Sequence, residues 1–209
     1  MHRKKPKIAI IHPALGKTDG GSQIFVLELA KRLRYDFDIT ILSGKKINSL
    51  CKPVWSIERR CNSNNYFYNI LHRKLSKYSN SPDVLIEHMT SFIPVLTNLL
   101  ITNYDLIYPN NDWGGLFVAN IVRKIKKTPI VFTEHCGLME DGLMAKRNLK
   151  FLPDRYVVLS QDMKHWVKSN FSHIKTEMIP NGVDFSRFNI NVEPVELNFE
   201  RPIFLSAGR

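Results

Sequence analysis

Short apolar runs alternate with longer segments of helical period along most of this chain, and that alternation restricts the fold more than any other feature. Lys7-Ile8-Ala9-Ile10-Ile11-His12 is a continuous apolar run of the kind buried on both faces of a parallel sheet. A loop from Pro13 to Gly20 follows. The next segment, 21–33, places Ile24, Leu27, Leu29 and Leu33 near helical spacing and leaves Glu28, Lys31 and Arg32 for solvent. Further strands are predicted over 38–43, 53–57, 105–108, 129–133, 156–159 and 177–179, and further helices over 113–125, 143–151 and 161–167. Ser81-Pro82-Asp83 reads as a helix start with proline in its first turn, and Pro94 is expected to break or kink that helix. Strands that alternate with helices imply an α/β fold with a parallel sheet covered on both faces.

A chain of 209 residues holds one large domain with a substantial core. Domain 1–188 is followed by a linker, 189–201, rich in Asn, Glu and Pro, and then by Pro202-Ile203-Phe204-Leu205-Ser206, which reads as the first strand of another domain. No apolar run is expected to reach the roughly 20 residues that span a bilayer. The basic start, Met1 to Pro6, leads into a strand without a small-residue cleavage site and so does not read as a signal peptide. Three cysteines, Cys51, Cys61 and Cys136, lack metal-binding spacing and read as reduced thiols of a cytoplasmic protein.

The charge is uneven. Residues 1–80 carry 16 Lys and Arg against 5 Asp and Glu, whereas residues 81–209 carry 14 of each, so the whole net charge of +11 lies in the first part. A basic face attracts anionic lipid or phosphorylated substrates. Nucleic acid is not expected, because zinc-finger spacing and an aromatic RNP-type strand are both missing. Residues 66–78, Tyr66 to Tyr78, form a basic amphipathic pattern bearing aromatics, which fits either an ordinary packed helix or one lying on an anionic membrane.

In open α/β sheets ligands bind beyond the carboxyl ends of the strands, so the loops that follow His12, Tyr108, Thr133 and Leu159 are the places to search. The run His12 to Ser22 contains Gly20-Gly21 at the start of a helix, where backbone N–H groups favour an anion. It matches neither the dinucleotide fingerprint nor the P-loop, and an ordinary turn is the competing reading. His135 follows a strand on the ligand side, where an imidazole can donate to a sugar or phosphate oxygen or stabilise charge; a satisfied loop histidine is the alternative. Glu134 and Cys136 beside it complete no metal site. Asn110-Asn111-Asp112 closes another strand with short polar side chains suited to hydroxyls, although Asp112 also suits a helix N-cap ahead of Trp113.

Four segments in this order resemble the amino-terminal domain of a GT-B fold glycosyltransferase, most similar to glycosyltransferase family four. They are Gly20-Gly21 opening a helix with Leu27-Glu28-Leu29-Ala30-Lys31-Arg32-Leu33; Pro129 to His135; Asp154 to Ser160; and Ile179-Pro180-Asn181-Gly182-Val183-Asp184 running to Phe188. The resemblance implies a Rossmann-like doubly wound parallel sheet, with only the first strand of the nucleotide-binding domain present at 202–209. It implies retaining transfer of a sugar from a UDP- or GDP-sugar to a glycan or lipid-linked acceptor, without a metal. By position, the Gly20 and Gly21 backbone and Arg209 would meet the donor diphosphate, and His135, the implied catalytic residue, would meet the donor sugar. Lys17, Asp19, Asn110, Asn111 and Glu134 are candidates for the acceptor, while 181–184 shapes the turn before the linker. The expected protein is cytoplasmic, peripheral at the inner face of a membrane through residues 1–80, and inactive as this piece alone. A non-catalytic sugar- or phosphate-binding module of the same fold is the alternative; a related nucleotide-sugar epimerase is disfavoured by 181–184.

Overall fold

The computed structural model describes residues 4–17, 20–56, 66–78, 81–110, 112–186 and 191. The expected linker apart from Asn191, the expected final strand, Arg209, Asp19 and Asn111 lie outside them.

Among the described residues seven strands and six helices follow one another in an α/β order: β1 Lys7–His12, α1 Gly21–Leu33, β2 Asp38–Ser43, β3 Cys51–Pro53, α2 Tyr66–Leu75, α3 Pro82–Ile101, β4 Leu106–Pro109, α4 Asp112–Lys126, β5 Val131–Thr133, α5 Met139–Leu149, β6 Arg155–Val158, α6 Gln161–Asn170 and β7 Thr176–Met178. Every pairing among these strands is parallel. The sheets β3-β2-β1-β4 and β5-β6-β7 are joined by a parallel bridge between Ile107 and Ile130. The strand order thus reverses direction between β1 and β4. In a Rossmann-like doubly wound sheet this reversal opens a crevice at the carboxyl ends.

The two-residue period of a strand explains both layers. Ile8 and Ile10 point to the side of Val26 and Ala30 of α1, together with Ile39 and Ile41 of β2. Their neighbours Ala9 and Ile11 point to the other side, into a larger core with Val95 and Leu99 of α3, Leu116 and Val122 of α4 and Leu149 of α5. Because both faces are buried, β1 needs apolar residues at every position, as its sequence provides. The amino-terminal edge is tied by Asp105, whose carboxylate accepts from Lys7 N–H at 2.7 Å, and by Asp154, which accepts from Ile130 N–H at 2.8 Å.

Several expectations are corrected. In α1 Leu27, Leu29 and Leu33 pack against the core as expected, but its fully buried residues are Gln23, Val26 and Ala30, and Ile24 is 62% exposed. The third strand lies at Cys51–Pro53, ahead of the expected 53–57, because its register is set by pairing with Ile41 to Ser43. The helix α3 runs through Pro94 without a break. It is also long and apolar enough to cross a membrane by length and composition, contrary to expectation. Here it packs Ile86, Ser91, Val95 and Leu99 into the domain, beside buried Glu87 and His88. Asp112 is the first helical residue of α4, one place inside the expected cap.

Candidate functional site

The carboxyl end of β1 is buried through His12, and the chain then folds tightly over the sheet. Leu15 N–H bonds to His12 O at 2.9 Å, Lys17 N–H to Ala14 O at 3.0 Å, and Leu15 O accepts from Gly44 and Lys45 N–H at 3.0 and 3.1 Å. Lys17 is drawn away from the crevice: its ammonium donates to Ser56 O and Oγ at 2.7 and 2.8 Å, which fastens this loop to the segment after β3.

The next segment enters α1 through Gly20 and Gly21. The helix carries no acidic residue in its first turn, and Gly20 provides no side chain to cap it. A helix start of this kind carries partial positive charge. A Cβ placed on Gly21 meets nothing within 4 Å, so the protein itself does not require glycine there.

One turn further along α1, Phe25 meets His135 edge-to-face, with ring centroids 4.8 Å apart and planes at 72°. This contact brings the start of α1 and the end of β5 into one place. His135 is held on a second side by Asn110, whose Oδ1 lies 3.0 Å from Nε2. Asn110 is 5% exposed, and its backbone N–H bonds to Ile11 O at 3.0 Å across the β1–β4 reversal. Burial lowers the pKa of His135, only partly offset by the charge of Glu134, which favours the neutral imidazole.

Glu134 turns inward instead. It is 2% exposed, and its carboxylate accepts from Cys136 N–H at 3.0 Å, Asn148 Nδ2 at 2.9 Å and Tyr156 OH at 2.8 Å. Its own N–H bonds to Val157 O at 2.9 Å. A buried carboxylate is tolerated when hydrogen bonds replace water, and here it fastens the loop of His135 to β6 and α5. Burial and the Glu134 charge push the Tyr156 phenol strongly up, so it remains a donor. Beneath the site Tyr108 OH and Thr133 Oγ1 join β4 to β5 at 2.5 Å; burial pushes that tyrosine up to about 12. The His135 loop turns back at Gly137, whose φ of 61° suits glycine.

The structure therefore gathers the Gly20-Gly21 helix start, Asn110 and His135 at the β1–β4 crevice. It directs Lys17 to Ser56 and Glu134 to the interior. Residues 181–184, expected to shape a turn, have no regular structure, and the turn falls just after them at Phe185 and Ser186: Asp184 accepts from Ser186 N–H and Oγ at 3.0 and 2.6 Å, and lies 3.7 Å from Arg32 of α1. Phe25, Asn148 and Tyr156 were not legible as parts of this site, since each contact depends on which elements become neighbours. Among the described residues no group of three His, Cys, Asp or Glu side chains comes together to hold a metal.

Residues 19–187 match the family described as Glycosyltransferase Family 4. No curated protein matches the chain. Among solved structures, Anabaena HepE in complex with UDP and glucose aligns at 16% identity with a TM-score of 0.48, covering 85% of this chain and 45% of that one. The chain thus spans less than half the length of that structure.

Proposed function

Because the chain belongs to glycosyltransferase family 4, we propose that it forms the acceptor-side half of a retaining glycosyltransferase that moves a sugar from a nucleotide-sugar donor to a glycan or lipid-linked acceptor. The observation that carries this reading is the contact of Phe25 with His135, which sets an uncapped helix start beside an imidazole at the strand reversal. In this reading the first N–H groups of α1 face the donor diphosphate, His135 faces the donor sugar, and the donor's nucleotide is held by a second domain. The acceptor hydroxyl forms its bond to the anomeric carbon on the face from which the diphosphate departs. The departing phosphate oxygen takes the hydroxyl proton, so no protein base is needed and positioning supplies much of the rate. The 209-residue chain by itself is expected to release no sugar from the donor.

Gly21 provides the test. The space around it is open, so the Cβ of Gly21→Val meets no neighbour within 4 Å, yet the side chain stands where in this reading a diphosphate approaches the backbone. In the longer enzyme, with UDP- and GDP-sugars as probes, Gly21→Val is expected to raise donor KM or lower kcat by about 10²-fold, the order seen when a charge-stabilising donor is lost. Unchanged kinetics in a stably folded variant removes the diphosphate from this helix.

A membrane-facing role is a second reading, supported by exposed side chains. Tyr66 and Phe67 stand out from α2, which ends in His72, Arg73 and Lys74, and Met89, Ile93 and Ile101 form an exposed stripe at helical spacing on α3. Co-sedimentation with anionic vesicles that weakens as salt rises is the expected result; no binding at low salt rejects it.

A further inference from the structure

We propose that Asn110 is a positioning residue that holds His135 as its Nε2–H tautomer and offers its own amide N–H to a ligand oxygen, so that the crevice presents one acceptor, His135 Nδ1, and one donor, Asn110 Nδ2. The proposal rests on the reading of His135 as facing the donor sugar and adds which ring nitrogen does so. Three observations carry it. The Asn110 Oδ1 lies 3.0 Å from His135 Nε2, and an amide oxygen can only accept, so the ring must donate there. The neutral imidazole, favoured by burial, has a single N–H, which leaves Nδ1 as a lone-pair acceptor. Finally, Asn110 Nδ2 is buried and finds no hydrogen-bond partner among the described residues, in a residue that is otherwise well tied down.

That orphan donor has a meaning at this position. A buried N–H without a partner keeps its full desolvation penalty, so native proteins seldom retain one unless something external satisfies it. The residue sits at the carboxyl end of β4, beside the strand reversal where ligands of such sheets lie. An oxygen that both accepts and donates, as a sugar hydroxyl does, suits a site with one of each. Phe25 and Asn110 hold the ring from two sides, so neither nitrogen can exchange roles by simple rotation. The opposite amide orientation would place Nδ2 against Nε2, move the ring proton to Nδ1 and make His135 a donor to the ligand.

The two arrangements are told apart by long-range ¹H–¹⁵N correlation of the histidine rings in the ¹⁵N-labelled protein, with His135 assigned through His135→Gln. A pyrrole-like Nε2 and a pyridine-like Nδ1 are expected; the reverse pattern, or averaged shifts, overturns the proposal. The variant Asn110→Asp keeps the acceptor and adds a charge, so it should retain the tautomer and raise the His135 pKa by about one unit or more. Asn110→Leu should release the ring to tautomer averaging. A ring whose shifts and titration ignore both variants also overturns it. None of these readouts depends on sugar transfer. A confirmed tautomer together with a longer enzyme that transfers no sugar would reject the proposed function while leaving this role of Asn110 in place.

Discussion

At the scale of single residues the candidate site is built in two tiers. His135 and Asn110 meet at the carboxyl end of the sheet, and Glu134 fastens the His135 loop from the interior through three hydrogen bonds. Adjacent residues in an extended segment point to opposite sides, which is how Glu134 and His135 come to serve different tiers. Replacing Glu134 by Gln keeps the shape but sets an amide N–H against donors already committed to a carboxylate. The expected cost is about 1–3 kcal/mol in urea denaturation, and a variant as stable as the parent would show that the buried carboxylate is dispensable. His135 adds a pH dependence of definite sign. Its folded pKa lies below the ordinary 6.5 because burial disfavours the charged ring. Between the two values the unfolded chain binds more protons, so stability rises with pH there. The contribution is fully present above pH 6.5 and is lost as pH falls through the folded value. Urea midpoints measured downward from neutral pH should fall more steeply for the parent chain than for His135→Leu. Equal slopes would contradict a buried, neutral ring.

At the scale of elements, close approach decides what sequence pattern leaves open. The Cα of Gly114 in α4 lies so near α3 that an added Cβ would stand 2.5 Å from Cγ and Nδ1 of His88. His88 itself is buried and meets Trp113 edge-to-face at 5.1 Å, so its ring cannot easily withdraw. Gly114→Ala gains helix propensity of up to about 1 kcal/mol, but forces overpacking that costs about 1–3 kcal/mol. The steric effect should win, seen as a lower thermal midpoint. The start of α6 gives a smaller effect. Ser160 Oγ accepts from Met163 N–H at 3.3 Å, and Ser160→Ala should cost about 1 kcal/mol as a lost N-cap. A result within error of zero would show water replacing the cap. The departures from expectation at this scale share one cause. Pairing with β2 rather than local pattern sets the place of β3, and tertiary packing carries α3 past Pro94.

At the scale of the whole molecule, the uneven charge and the exposed faces of α2 and α3 are surface properties. They are consistent with a stable domain whether or not a membrane meets them. Arg32 joins two parts of the fold here, pairing with Glu28 one turn back on α1 and lying 3.7 Å from Asp184 after β7. All three groups are partly or well exposed, so Arg32→Ala should change global stability by less than about 1 kcal/mol. Faster amide exchange confined to 181–186 is the expected sign of its loss, and unchanged exchange there would mean that the pair holds nothing in solution.

The alternation of apolar runs and helical periods was enough to fix the class of this fold, because a strand buried on both faces must be apolar throughout and a covering helix must be apolar on one side. The same local logic exposed Gly20-Gly21, Asn110 and His135, since each stands at the end of a strand or the start of a helix. What the sequence could not decide was which of these ends meet. The inward turn of Glu134, the capture of Lys17 by Ser56 and the ring contact of Phe25 with His135 join residues far apart along the chain or on opposite sides of one strand. Those contacts follow from strand order and register, which arise only when the sheet assembles, and so the tertiary structure alone chose the members of the site.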